Sequence, residues 1–320
     1  MAEGRQQPHA ADGSNEAEGS GQDIVRKDLD EQEERIVEAH ETASAKLVHE
    51  IIRQRGIDEL ERPAAALIWS ALGAGFVIGV SLYANALFEH EFAGAVFLPL
   101  LLALGYSSGF IVVIAGRMQL FTESTITAVL PLATTPCWTN LWRTLRLWGI
   151  VFFGNIVGTL AFALFIHFDI AHQPEIVAAM QKLSAHTMGI YLEAPFGKGI
   201  PAGFLLAVMV WATPNLEKQE FLLVVLITGL MSLGEVSHSI VGSAEMWVSI
   251  LHGDISFTTG IFGFLIPAAL GNLVGGALLF ALLAHAQVAP EIEGEEGGYR
   301  YGEKTAKKDD GKDKNAVRTS

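Results

Sequence analysis

Hydrophobic and polar positions along this chain alternate on the scale of a lipid bilayer rather than of a helix turn. Six apolar stretches, roughly 66–88, 94–116, 147–170, 199–214, 221–236 and 257–284, are long enough, or nearly so, to cross a hydrocarbon core of about 30 Å. Polar residues interrupt two of them at membrane depth. After the second stretch, Arg117, Gln119, Thr122, Glu123, Ser124 and Thr125 intervene before 126–132 turns apolar again, too short to span alone. In and after the fifth, Glu235, Ser237, His238, Ser239, Gly242, Ser243 and Glu245 crowd into eleven residues. Backbone that leaves the helix inside a bilayer survives only where protein buries it or a water-filled path bathes it. Both patterns predict a broken helix: half span, loop, half span. A histidine at that depth marks a functional site by default.

The remaining spans repeat a motif. The third contains Gly-Asn-Ile-Val-Gly at 154–158 and the sixth Gly-Asn-Leu-Val-Gly at 271–275. Thr122 precedes Asn155 by 33 residues, and His238 precedes Asn272 by 34. Two halves, about 64–170 and 195–285, therefore each read as span, broken span, span with Gly-Asn. Three spans is an odd number, so the second half enters from the opposite side. The expectation is an all-α integral membrane protein with inverted three-span repeats and a site at the midplane. Gly73, Gly75 and Gly79 in the first span suit close helix packing in lipid. Residues 171–198 read as a long external segment carrying His172, His186 and Glu193.

Around this membrane domain, expected over 63–286, the chain changes character. Residues 1–27 read as a disordered acidic tail and 287–320 as a disordered charged one. Between 28 and 62, Ile36, Ala39, Ala43, Leu47, Ile51 and Ile52 recur at near-helical spacing, which predicts an amphipathic cytoplasmic helix that Pro63 ends. Half of the 320 residues are hydrophobic, which does not suit a soluble domain. The net charge of −14 belongs largely to residues 1–62, where sixteen acids face eight bases. That argues against nucleic acid and against an anionic-lipid anchor, with lipid expected only around the spans. Cys137 is the single cysteine, so no intrachain disulfide forms. The sequence shows no Walker loop, no metal-ligand cluster and no Ser-His-Asp pattern, so an enzyme, a metal and a cofactor are not expected. Arg143, Arg146 and Lys218 fall on the side of the tails, against Lys182 and Lys198 on the other; the positive-inside rule puts both termini in the cytoplasm.

Leu-Phe-Thr at 120–122, Val-Trp at 210–211, His-Ser at 238–239 and the two Gly-Asn motifs, in this order, resemble the formate/nitrite transporter family over about 64–285. The resemblance implies an aquaporin-like six-span protomer, a homopentamer with one pore per protomer, and a bacterial inner (plasma) membrane. It implies a pore threonine at Thr122 with Phe121 beside it, a central His238, and Asn272 nearby. It also implies one constriction of Phe110 with Phe121 and another of Tyr106 with Met231. The sequence departs from the family pattern at Arg117-Met118-Gln119, where a Gly-Ala-acid run is usual, and at Glu123, where a small residue is usual. The segment ending in Glu245 is longer, and the family's external lysine has no clear match, with His186 and Lys182 nearest. This places the chain on a divergent branch.

The implied function is passage of a small monovalent weak-acid anion. Burial disfavours a charged imidazole and an approaching anion favours it, so His238 is suited to lend a proton. Thr122 and Asn272 would orient the ring and the solute. Arg117, Glu123, Glu235 and Glu245 either brace the breaks through ion pairs, such as Arg117 with Glu245, or line the pore. A carboxylate facing the pore would instead favour a neutral solute, and a non-transporting scaffold that recruits a partner through the amphipathic helix is the third reading.

Overall fold

The computed structural model describes residues 43–290; the expected tails, apart from 287–290, lie outside these residues, as do Ile36 and Ala39. Ser44 caps the first helix, α1 (Ala45–Glu61), through a bond from the Leu47 N–H. Arg62 and Pro63 leave the helical conformation and turn the chain into the first span. The spans are α2 (Ala64–Phe92), the pair α3 (Leu98–Ala115) and α4 (Ser124–Thr134), α5 (Trp138–His167), α7 (Pro195–Ala212), the pair α8 (Glu220–Leu233) and α9 (Ser239–His252), and α10 (Thr259–Pro290). Every element among the described residues is helical. The last span runs past the expected boundary at 286, and π-helical turns interrupt it at Thr259–Leu265 and Val274–Ala281.

Five helices are long and apolar enough to cross a membrane alone. The fifth span is different. With 14 residues, α8 rises only about 21 Å and needs α9 to complete the crossing. The described residues thus make six spans, two of them broken.

The segment from 171 to 198 is not merely a connector. It forms α6 (Pro174–Tyr191), which buries Ile176, Ala179, Met180, Ser184, Met188 and Tyr191 on one face against α9 and the second half of α2. Its Lys182 and His186 keep its hydropathy low, so its composition does not read as that of a span. The helix is the counterpart of α1, which packs on α4. Each half therefore holds four elements: an amphipathic helix, a long span, a broken span and a Gly-Asn span.

Glycine sets how closely these elements approach. A Cβ on Gly75 of α2 would collide with the Asn155 carbonyl oxygen in α5, and one on Gly203 of α7 would collide with that of Asn272 in α10. The two contacts are the same contact in the two halves. Both ends of the described chain reach one face, where His49 Nε2 of α1 lies 3.1 Å from His285 Nδ1 of α10.

Gly75→Ala and Gly203→Ala are each expected to lower stability by about 1–3 kcal/mol, because backbone must move to admit the methyl. Gly189→Ala, where a Cβ meets nothing within 4 Å, should be neutral or stabilising. Melting temperatures in detergent check this, and a Gly203→Ala protein as stable as the Gly189→Ala one would contradict the packing account.

Candidate pore site

Two short loops, 116–123 and 234–238, carry the site, and both open with the same helix end. Gly116 and Gly234 follow the last helical residue, and Arg117 (φ 48°) and Glu235 (φ 50°) come next in the left-handed region. The Met118 N–H then reaches back to the Val113 carbonyl at 3.0 Å, and the Val236 N–H to that of Met231 at 3.2 Å. These bonds close the helices by a Schellman turn, which satisfies carbonyls that would otherwise be orphaned. Arg117 and Glu235 serve the breaks through this backbone geometry, and their side chains are exposed.

Beyond the turn, one asparagine holds each loop. The Asn155 carboxamide donates to the carbonyls of Ala71 (2.8 Å) and Gln119 (2.9 Å) and accepts from the Phe121 N–H (2.9 Å). Asn272 donates to Gly199 and Ser237 (both 2.9 Å) and accepts from the Ser239 N–H (2.9 Å). All three polar contacts recur in register, which makes Phe121 the counterpart of Ser239. Thr122 therefore corresponds to Ile240, and His238 to Leu120, two residues away from the Thr122–His238 match that the near-equal spacing suggests. Asn272 spends its carboxamide on backbone and leaves nothing for the imidazole.

His238 and Thr122 meet between the two loops, both fully buried, with His238 Nε2 2.8 Å from Thr122 Oγ1. His238 is also the N-cap of α9, its Nδ1 accepting from the Val241 N–H at 3.1 Å. A backbone N–H can only donate, so in the neutral ring Nε2 carries the proton and donates to Thr122. The Phe110 ring packs edge-on against His238 (5.2 Å between centroids) and contacts Tyr106 at 5.5 Å. Met231 is fully buried in α8. The Phe121 ring lies 4.9 Å from that of Phe152. The half-helices α4 and α9 begin at the two loops, so both positive helix ends are directed toward the same depth.

The charged residues separate onto two sides. Arg117, Glu123 and Gln119 line a cavity of about 550 Å³ on the face of α1, together with Arg55, Glu59 and Arg62. Glu245 lies in α9 beside Thr187 of α6. The two loops put Arg117 and Glu245 on different sides, so the ion pair considered from the sequence does not form. Sequence reasoning also missed Glu59, whose carboxylate accepts from Thr127 Oγ1 of α4 at 2.7 Å and so ties α1 to the first break. The register of the repeat was the available signal: Glu59 with Thr127 in one half matches Thr187 with Glu245 in the other.

A model of the formate/nitrite transporter matches residues 46–286. The chain belongs to the formate/nitrite transporter family. Inner membrane protein YfdC of Escherichia coli is 40% identical over 248 residues, covering 78% of this chain and 80% of that protein. The formate channel FocA of Haemophilus influenzae is 28% identical over 204 residues, covering 55% of this chain and 69% of the channel. Among solved structures, a pentameric formate channel with formate bound superposes with a TM-score of 0.58 at 21% identity, over 69% of this chain and 95% of the channel. An FNT family ion channel gives 0.61 at 18% identity, over 73% and 96%. The family fold is thus the fold described above.

Burial raises the pKa of Glu59, against hydrogen bonds from Thr127 and Gln119 and the nearby Arg62 and Arg55. A carboxyl group raised in the folded state stabilises fully below its unfolded value of about 4.5 and loses that contribution as pH climbs through the folded one. Docking of α1 should therefore tighten on acidification. His49, lowered by burial and by His285, opposes this. Trypsin cleavage after Arg53 and Arg55, taken as the ratio of wild type to Glu59→Gln from about pH 8 to about pH 5, cancels the histidine term. The ratio should fall with pH; a flat ratio would show that Glu59 does not couple docking to protonation.

Proposed function

We propose that the protein carries small monovalent weak-acid anions of the formate and nitrite type across the membrane, with His238 and Thr122 as the central contact. The observation that carries this reading is the His238 Nε2–H held toward Thr122 where two half-helices begin. A neutral imidazole that donates there can accept a further share of positive charge only at Nδ1, which the Val241 N–H already occupies. At rest it is thus a polarised donor. An anion displacing the Thr122 contact would take the Nε2–H and the Thr122 hydroxyl as partners, and the helix ends would offset part of its lost hydration. Phe110 and Tyr106 present apolar ring surface, which a neutral acid crosses more readily than its anion.

The names of relatives support the same reading: a formate channel in one case, and a formate-bound pentamer in another. By the same likeness we place five copies around an axis, each with its own pathway, in an inner membrane as for YfdC. Arg53, Arg55, Arg62, Arg117, Arg143 and Arg146 gather on the α1 face, while Lys182 and Lys198 occupy the other. We assign the α1 face to the cytoplasm on that asymmetry.

Glu245 supports a second reading. An ionised carboxylate beside the path would repel anions and favour a neutral solute. Stopped-flow flux into proteoliposomes with formate, nitrite, hydrosulfide and glycerol separates the two. Anion flux should rise in acid and drop about 10–100-fold in His238→Ala, the loss of a charge-assisted hydrogen bond. Thr122→Val should lose less, since it keeps the shape and removes one hydroxyl. Glycerol passing equally in wild type and His238→Ala, with no anion flux, would assign the pathway to neutral solutes and leave His238 a capping role.

A further inference from the structure

On the side of Tyr106 away from Phe110 and His238, α6 and α9 enclose a second group of buried polar side chains. Glu245 and Ser249 share a face of α9 at i and i+4, and Ser184, Thr187 and Tyr191 share a face of α6 at i, i+3 and i+7. The two faces meet: Tyr191 Cε2 would lie 3.3 Å from a Cβ on Gly242, one turn before Glu245. The Tyr106 hydroxyl, Ser184 Oγ, Ser249 Oγ and Glu245 Oε2 are all buried without a hydrogen-bond partner. Glu245 is 6% exposed and Tyr106 4%.

Three unpartnered hydroxyls around one carboxyl group, itself with an unpartnered oxygen, are costly unless they serve something that passes. No cation pairs with Glu245 among the described residues. Lys198 gives its ammonium to the Ile190 carbonyl at 3.1 Å, with Glu193 at 4.0 Å, and Lys182 binds Glu89 at 2.8 Å. The ionisable groups within electrostatic reach are Tyr106 from α3 and Tyr191 from α6, with Glu235 of the break acting on Tyr191. Facing α9 from α5 and α10 are Thr159, bonded to Ser243 at 2.8 Å, and Phe264, and neither titrates. A lone carboxylate at this depth bears an uncompensated desolvation cost, which a bound proton removes.

We propose that Glu245 is the proton-exchanging group of the pathway on the face opposite α1. The carboxylic acid O–H breaks as a weak-acid anion arriving at Tyr106 takes the proton, leaving Glu245 as carboxylate and the solute as neutral acid. The acid crosses the aromatic step toward His238. Hydronium on the same face returns a proton to Glu245 through the hydroxyls of Ser184 and Ser249 and is left as water. The Glu59–Thr127 pair on the α1 side is the mirror of this arrangement and gives each mouth one carboxyl group. The inference rests on the weak-acid reading and adds the residue that supplies the proton.

The test follows formate flux and internal pH together in proteoliposomes loaded with a pH dye, for wild type, Glu245→Gln, Glu245→Asp and Tyr106→Phe. Infrared spectra of the same proteins report the carboxylic C=O stretch. The wild type should take up protons in step with formate and show a buried carboxylic acid band at neutral pH. Glu245→Gln should lose the band and at least about tenfold of the coupled flux, whereas Glu245→Asp should shift the band and keep part of the flux. Tyr106→Phe should slow proton delivery and keep the band. Size-exclusion profiles establish that the variants assemble, and if Glu245→Gln does not, the Asp band and its pH profile carry the test. Unchanged coupled flux in Glu245→Gln, or a Glu245 ionised at neutral pH, overturns the relay while the weak-acid reading stands. No anion flux in wild type overturns both.

Discussion

An interruption of a helix inside a membrane exposes peptide groups that lipid cannot satisfy, and in this protein one asparagine answers that problem in each half. Asn155 and Asn272 each hold two carbonyls and one N–H with a single carboxamide. An alanine in either place would leave the loop carbonyl and the loop N–H without this partner, at about 1–3 kcal/mol apiece. The neighbouring glycines serve the same bond. Only with no Cβ at Gly75 and Gly203 do α2 and α7 come near enough for the Ala71 and Gly199 carbonyls to be reached.

With the breaks held, the site follows. The loops present Thr122 and His238 from opposite halves, and the capping of α9 by Nδ1 leaves Nε2 as the ring nitrogen turned to Thr122. In the proposed function, a structural duty and a transport one fall on the same imidazole. The amphipathic helices complete the plan, since α1 and α6 each set one hydroxyl–carboxyl pair beside a half-helix. The carboxyl comes from α1 in one half and from the half-helix in the other.

Much of the fold was legible because bilayer thickness imposes a length on apolar runs, and polar residues inside such runs must be covered by protein or bathed by water. The Gly-Asn repeats exposed the duplication, since that pair is scarce in apolar helices. What escaped has physical reasons. Lys182 and His186 made α6 look like surface connection, although Ile176, Met180 and Met188 already follow one helical face. Arg117 and Glu235 drew attention as charges, whereas their backbone angle is what the breaks use; a Gly followed by one residue after an apolar helix was the signal. The contact of Phe121 with Phe152 depends on tertiary packing that spacing does not carry. Near-equal spacing matched Thr122 with His238, yet the hydrogen bonds shift that register by two residues, because the repeat is kept in the backbone contacts and not in these two side chains.

The central claim is that a neutral His238 presents its Nε2–H to a passing anion between two braced breaks. Solid-state 15N NMR of histidine-labelled protein in lipid, with His238 assigned from a His238→Asn sample, addresses it without relying on transport. The account predicts a resting ring protonated at Nε2 alone, whose Nε2 resonance moves when formate is added and stays in place with glycerol. A ring protonated at Nδ1, or an Nε2 resonance indifferent to formate, would contradict it.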